Sequence, residues 1–364
     1  MSWIALNDRT EGRFAPCGLG LQRRQQRLIG TGSDALLPRG TLVVEAQLLP
    51  DGRPQELFGF DIWHPWHRRL MIQALPGGSI ALVHQQGDTI CHAVVRLPAT
   101  ERAEVVRISF AWDAPTGFGR LALEQHETGG IASVLVRAPL PLPVLDARTM
   151  MLGRPGCVRA PDVDHAALST EIEPIGPQPS LATDVPVATP FGYRAAGTLR
   201  RGDLVLTEAA GPVPVLHRID RVVPARGSFR PLRLFAPYFG LRQDIVVAPS
   251  QRLVIRGSEV EYIFGREAVL VPAVHLLNGH VGRAEPADAL IRYTQLVLPG
   301  HETVLTAGTW SESLYLGRIR RNAKRVGQSV LAGLDRSQLP EHGKPAFPVL
   351  RRFEAVTLAD QRAA

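Results

Sequence analysis

The sequence predicts a mainly β chain, a sandwich-like domain followed by a second β-rich domain and a short helical tail, on three observations. About eight short strand-like runs recur at regular spacing between residues 40 and 140. The chain holds 34 Gly and 30 Pro in 364 residues, which makes it rich in turns. Long helical periodicity is scarce until the C-terminal region.

Residues 1–39 contain the Arg-rich stretch Arg23–Arg27 and are expected to form a poorly ordered N-terminal arm. From Gly40 the pattern is strand-like: Thr41–Leu48, then the turn Pro50-Asp51-Gly52, then Leu57–Ile62, Arg69–Ala74, Ser79–His84, Ile90–Val95, Val105–Trp112, Gly119–Glu124 and Ser133–Val136. These predict a jelly-roll-like β-sandwich over 40–169. Leu140-Pro141-Leu142-Pro143 cannot lie in a central strand, because each Pro removes a ladder donor. The Pro-containing run 170–179 reads as a stiff linker. Strands resume at Leu204–Thr207, Val215–Val222, Arg230–Phe235, Ile245–Val247, Arg252–Ile255, Val269–Pro272 and Arg292–Leu298, giving a second domain over 180–317. After Gly317, Ile319, Val326, Val330, Leu331 and Leu334 fall at roughly helical spacing, so 318–364 is expected to be a helical basic tail.

Composition narrows the function classes. The formal net charge is +7, but residues 318–364 hold ten Arg and Lys against four Asp and Glu, so nearly all the excess sits in the tail. No basic stripe is interleaved with aromatics and no nucleic-acid-binding motif appears, so no nucleic-acid partner is implied. Cys17, Cys91 and Cys157 lie far apart without CxxC spacing, which implies neither a disulfide framework nor a zinc site. Asp61, Asp88 and Asp113 are single acidic residues in turns, not a calcium loop. No metal or cofactor is expected. Met1–Pro16 lacks the apolar core of a signal peptide, and no apolar run is long enough to span a membrane. The expected location is the cytoplasm, or outside the cell by a signal-independent route.

Four blocks carry a family resemblance. Thr189-Pro190-Phe191-Gly192 followed by Gly202-Asp203-Leu204-Val205 comes first, then Val247-Ala248-Pro249-Ser250-Gln251-Arg252. Val269–Leu277 follows, and His301-Glu302-Thr303-Val304-Leu305 with Ser311-Glu312-Ser313 closes the series. In this order they resemble a bacterial Hint domain, the hedgehog/intein self-processing fold. The resemblance implies an all-β horseshoe-like domain. It also implies autoprocessing chemistry of the autoproteolytic or protein-splicing type. A Cys or Ser at the domain head attacks the preceding carbonyl, and a His in the second motif protonates the departing amide nitrogen.

Aligned on those blocks, the nucleophile position falls on Ser180, where most of the family has Cys, and Gln251 stands where the family has His. Ala248 replaces the Thr or Ser that opens the second motif, and Gln295 and Pro299 stand where bacterial members carry His and Asp. His301 survives as the titratable candidate. A hydroxyl is far less ionised than a thiol at neutral pH, and an amide cannot deliver a proton. Loss of the donor alone removes on the order of 10²–10⁴-fold in rate. The active site is therefore expected to be degenerate, with self-cleavage weakened or lost. Two alternatives stand beside that expectation. One is an active Ser-type processor that releases residues 1–179. The other is a non-catalytic module that binds a glycan or a protein surface.

Residues 40–140 resemble the concanavalin-like or laminin-G-like, lectin-like sandwich placed before bacterial Hint domains. Their distinctive block is Phe58–Arg69, and Trp63, Trp66, Asp61 and His64 in it are the candidate binding residues. Indole rings with nearby hydrogen-bonding groups suit stacking on a sugar. The same tryptophans could instead cap the sandwich core. Paired carboxylates of glycosidase type are missing from the sequence.

Overall fold

The computed structural model describes residues 3–20, 35–48, 53–97, 103–277, 279–286 and 288–363, the last five of these by their backbone alone. The chain divides into two compact units, Met1–Glu173 and Pro174–Ala364. The division falls inside the stretch expected to be a linker.

The first unit is a sandwich. One sheet has seven strands in the order Ile131–Arg137, Phe118–Gln125, Glu104–Asp113, Arg39–Leu48, Val163–Ser169, Trp3–Asp8, Gly12–Phe14. The other has five, Cys157–Arg159, Gln55–Ile62, Arg68–Leu75, Ser79–Gln86 and Thr89–Arg96. Alternation builds the core: Leu42, Val44 and Ala46 of one strand meet Phe58, Phe60, Leu70, Ile72 and Leu82 in a single buried cluster with Ile108, Phe110 and Trp112. The intervening Thr41, Val43 and Glu45 therefore point to the opposite face, yet they too are buried.

Several expectations are corrected here. Trp3–Asp8 is a fully buried strand paired with Val163–Ser169, not part of a loose arm, and Leu36–Leu37 pairs with Leu142–Pro143. Strands buried on both faces show no apolar–polar alternation, so periodicity does not reveal them. Arg23–Arg27 lies outside the described residues. After Pro143 the chain turns into the helix Val144–Met151, with Pro143 at its N-cap position.

The second unit holds a six-stranded sheet in the order His217–Pro224, Leu290–Val297, Leu181–Ala182, Ile245–Val247, Leu232–Leu234, Gly282–Ala284. A second sheet runs Gly192–Ala195, Pro186–Thr189, Thr303–Thr306, Thr309–Glu312, Arg252–Arg256, Ala268–Pro272, with the hairpin of Leu204–Thr207 and Gly211–Pro214 attached to Thr303–Thr306. Leu204–Thr207 lies where expected, Gly211–Pro214 is an additional strand that completes the hairpin, and the strand expected at Val215–Val222 runs His217–Pro224.

The tail packs on this unit rather than standing apart. Its helical spacing yields only the short helix Ala323–Gly327, with isolated turns at Ile319–Arg321 and Arg336–Gln338, before a final helix at Arg352–Ala363. Val326, Leu331 and Leu339 bury against Ile219, Val297, Leu314 and Leu316. Leu350, Ala355 and Leu358 join the main core. Among the described residues, no helix is long and apolar enough to cross a membrane.

Candidate functional site

Ser180 immediately precedes the short strand Leu181–Ala182, which lies in the middle of the six-stranded sheet. Leu181 pairs with Thr294 on one side and Val247 on the other. Continued by one residue, this antiparallel register sets Ser180 opposite Gln295 and opposite Ala248, whose N–H donates to the Ser180 carbonyl at 2.7 Å. The turn after Val247 then delivers Gln251, whose N–H donates to the Ala248 carbonyl at 3.0 Å. Two chain-distant glutamines thus converge on one hydroxyl.

The three side chains are buried and bonded to one another. Ser180 Oγ donates to Gln251 Oε1 at 2.7 Å. Gln295 Nε2 lies 3.3 Å from Ser180 Oγ and 3.0 Å from Gln251 Oε1, and donates to the Glu312 carbonyl at 2.9 Å. Gln251 Nε2 donates to the carbonyls of Arg252 and Glu312 at 3.0 and 3.2 Å. Those carbonyls need donors, which orients both amides with their oxygens away from them. Among the described residues, every group bonded to the Ser180 hydroxyl is a neutral amide. An amide oxygen is too weak a base to take the serine proton, and an amide N–H does not release one at neutral pH.

His301 has other partners. Its Nδ1 accepts the Ala346 N–H at 2.8 Å, so in the neutral ring the proton sits on Nε2, which lies 3.0 Å from Glu312 Oε1. The same carboxylate oxygen holds Arg252 Nη1 at 2.8 Å. Both ring nitrogens of His301 therefore face other partners, and the ring does not address Ser180. Tyr315 and His342 pack around it at centroid distances of 4.9 and 5.7 Å. Burial lowers the His342 pKa. Its Nδ1 accepts the Leu316 N–H at 3.1 Å, which again suits a neutral ring. Desolvation raises the Glu302 carboxyl. The sequence placed Ser180 and Gln251 in one site, and the structure brings them together with Gln295. It keeps His301 apart. The roles of Glu312 and Arg252 were invisible in the sequence, because they depend on the pairing of Thr309–Glu312 with Thr303–Thr306 and of Leu253 with Ser311.

In the first unit, the loop between Gln55–Ile62 and Arg68–Leu75 carries the other candidates. Trp63 is 66% exposed and Trp66 42%, so neither caps the core. Trp63 stacks on His67 with ring centroids 3.9 Å apart and planes 7° from parallel, and His67 Nε2 bonds Asp61 Oδ1 at 2.9 Å. Arg68 lies over the Trp66 ring at 4.9 Å while its Nε bonds the buried Asp146 at 2.9 Å. Asp61 thus supports the platform through His67, a residue the sequence gave no reason to single out. His64 is exposed.

Comparison with known proteins bears on the second unit. The family described as Hint domain matches residues 179–318. No curated protein matches the chain. Among solved structures, the MchDnaB-1 intein is 18% identical, over 36% of this chain and 98% of that one, with a TM-score of 0.24. The Msm DnaB1 intein splicing domain is 20% identical over 36% and 98%, TM-score 0.24. The Ruminococcus gnavus IT-sialidase CBM40 is 13% identical over 37% of this chain and 77% of its own, TM-score 0.28. With TM-scores this low, the fold assignment rests on the family match and the strand topology.

Proposed function

We propose that residues 179–318, which match the family described as Hint domain, are a member of the hedgehog/intein autoprocessing family whose self-cleavage is weakened or lost and which persists as a folded, uncleaved scaffold. One observation carries this reading: the Ser180 hydroxyl is held between two amides, with no titratable side chain among the described residues bonded to it. Acyl shift from the Pro179–Ser180 bond needs a base for the hydroxyl proton and an acid for the departing nitrogen. Ser180, Gln251 and Gln295 supply neither. Attack by an un-ionised hydroxyl without a base is slow, and the buried amide network would have to break to admit water.

Intact mass of the purified chain tests it. The expected result is one species at 39.7 kDa, unchanged by hydroxylamine. Fragments broken before Ser180, and abolished by Ser180→Ala, would show a working serine-type processor that releases residues 1–179.

A second reading concerns the first unit, where the exposed Trp63 ring, backed by His67 and Asp61, is a preformed platform for a sugar face. Trp66 and His64 flank it with a second ring and a hydrogen-bonding group. On a glycan array, full-length protein is expected to retain at least one ligand class, and Trp63→Ala to lose it. Uniform absence of binding by the wild type would remove glycan recognition, and capture of a protein ligand at the same loop would replace it.

A further inference from the structure

The charge excess of the tail is carried by a folded surface rather than by a loose segment. From Gly317 to Leu334 the chain has no Asp or Glu, while Arg318, Arg320, Arg321, Lys324 and Arg325 crowd into one short stretch. Packing decides which way they point. Val326 and Leu331 are buried in an apolar cluster with Leu339, and Ile319 packs against it. Arg318, Arg321, Lys324 and Arg325 are left exposed. Asn322 caps the helix Ala323–Gly327 by accepting the Arg325 N–H at 3.0 Å, which fixes the backbone that carries the last two.

Hydrogen bonds join this stretch to two others of the second unit. The His342 N–H donates to the Gly317 carbonyl at 2.9 Å, and Arg320 Nη1 to the Leu339 carbonyl at 3.0 Å. Arg201 Nη2 donates to Gln338 Oε1 at 3.2 Å, which brings the Arg200-Arg201 turn against the turn Arg336–Gln338. The surface therefore gathers the exposed cations Arg200, Arg201, Arg318, Lys324, Arg325 and Arg336. None of these has a carboxylate partner among the described residues. The acids beside them are engaged elsewhere. Asp203 pairs with Arg194 at 2.9 Å, and Asp335 accepts the Ser337 N–H at 2.9 Å.

Glu341 shows which anion this surface holds. Arg321 grips its Oε2 through Nε at 3.0 Å and Nη2 at 2.7 Å, and Arg320 Nε bonds its Oε1 at 2.8 Å. The bonds from Arg321 and then Arg320 pull the Glu341 carboxyl down to about 2. A guanidinium fork matches the two oxygens of a carboxylate, so a chain carboxylate is the group already recognised here. Other polyanions fit less well. No Phe, Tyr or Trp lies between Gly317 and His342, so no ring is offered for a base to stack on. The helix Ala323–Gly327 has only five residues, too few to read a groove. Val326, Leu331 and Leu339 turn inward, which leaves no apolar anchor for a bilayer. We propose that this surface docks an acidic polypeptide segment, a run rich in Asp and Glu, whose carboxylates pair with the exposed cations as Glu341 pairs with Arg320 and Arg321. Charge complementarity of this kind sets partner choice and speeds encounter.

The test follows a fluorescein-labelled oligo-glutamate peptide by anisotropy as the full chain is added. Saturable binding is expected at physiological ionic strength, weakening as salt rises. The triple variant Lys324→Gln/Arg325→Gln/Arg336→Gln, all at exposed positions, is expected to weaken it about tenfold, since each exposed pair contributes little by itself. A control, Arg53→Gln/Arg137→Gln/Arg154→Gln, removes the same charge from exposed positions of the first unit and should change affinity less than about twofold. Glu341→Gln frees two guanidiniums and should tighten binding about two- to fivefold. Circular dichroism checks that every variant is folded. Absence of saturable binding would overturn the proposal, as would equal weakening by the two triple variants, which would leave net charge as the whole effect. Glu341→Gln without a gain would overturn it too, by removing the carboxylate clamp it is built on. Vesicles of phosphatidylcholine and phosphatidylserine in equal parts, bound in preference to the peptide and released by the first triple variant, would replace the acidic polypeptide with a lipid phosphate.

Discussion

In a Ser180→Cys background, Gln251→His is expected to raise thiol- or hydroxylamine-induced cleavage before residue 180 by on the order of 10²–10⁴-fold over Ser180→Cys alone. The Gln251 side chain already reaches within 2.7 Å of the residue 180 side chain, so an imidazole there is positioned for proton transfer. The Glu312 carbonyl, which now accepts from Gln251 Nε2 at 3.2 Å, can accept the N–H of the new ring. That leaves the other ring nitrogen as the base facing residue 180. The thiol supplies the ionisable nucleophile that the hydroxyl lacks. The measurement is the cleaved fraction against time for both variants, with circular dichroism to confirm an intact fold. Equal, negligible cleavage in two folded variants would mean that the missing imidazole is not what silences the domain.

Acidification from pH 7 to pH 4 is expected to cost the first unit about 3 kcal/mol through His84 alone. This residue is 1% exposed on the inner face of Ser79–Gln86, against the edge of Phe110 at 6.1 Å, and its Nδ1 makes no hydrogen bond. Burial pushes its pKa down from 6.5 to about 4. Between those values the unfolded chain binds a proton that the folded chain refuses, so stability is complete above about pH 6.5. It falls as pH drops towards 4, and levels off below. The gap is worth about 3 kcal/mol at 1.36 kcal/mol per pH unit. Glu45 acts in a lower window, because its carboxyl is depressed and its contribution is lost only as pH falls through that depressed value. Urea midpoints followed by tryptophan fluorescence suit the measurement, since Trp3, Trp63, Trp66 and Trp112 all lie in this unit. His84→Leu should flatten the profile between pH 6.5 and 4. A wild-type midpoint that does not move over that range would refute the assignment.

The contrast between Arg39–Leu48 and Trp3–Asp8 shows how far sequence reaches. The first was legible because turn residues bound it and β-branched residues fill it, while the second is buried on both faces and only six residues long. The tail shows the opposite error. Ile319, Val326, Val330, Leu331 and Leu334 fall at near-helical spacing, but what Val326 and Leu331, with Leu339, satisfy is an apolar surface on Ile219, Val297 and Leu314, and short turns serve that as well as a long helix.

The sequence by itself determined the β-rich class, legible in spacing, turn chemistry and residue type, while Ser180 and Gln251 were singled out by the resemblance of their motifs to a Hint domain. Tertiary structure alone decided that Gln295 joins that pair and that His301 faces Glu312 and Ala346 instead. Those contacts join residues from about ten to more than a hundred positions apart. Strand pairing sets them, and a shift of one residue would send each side chain to the other face.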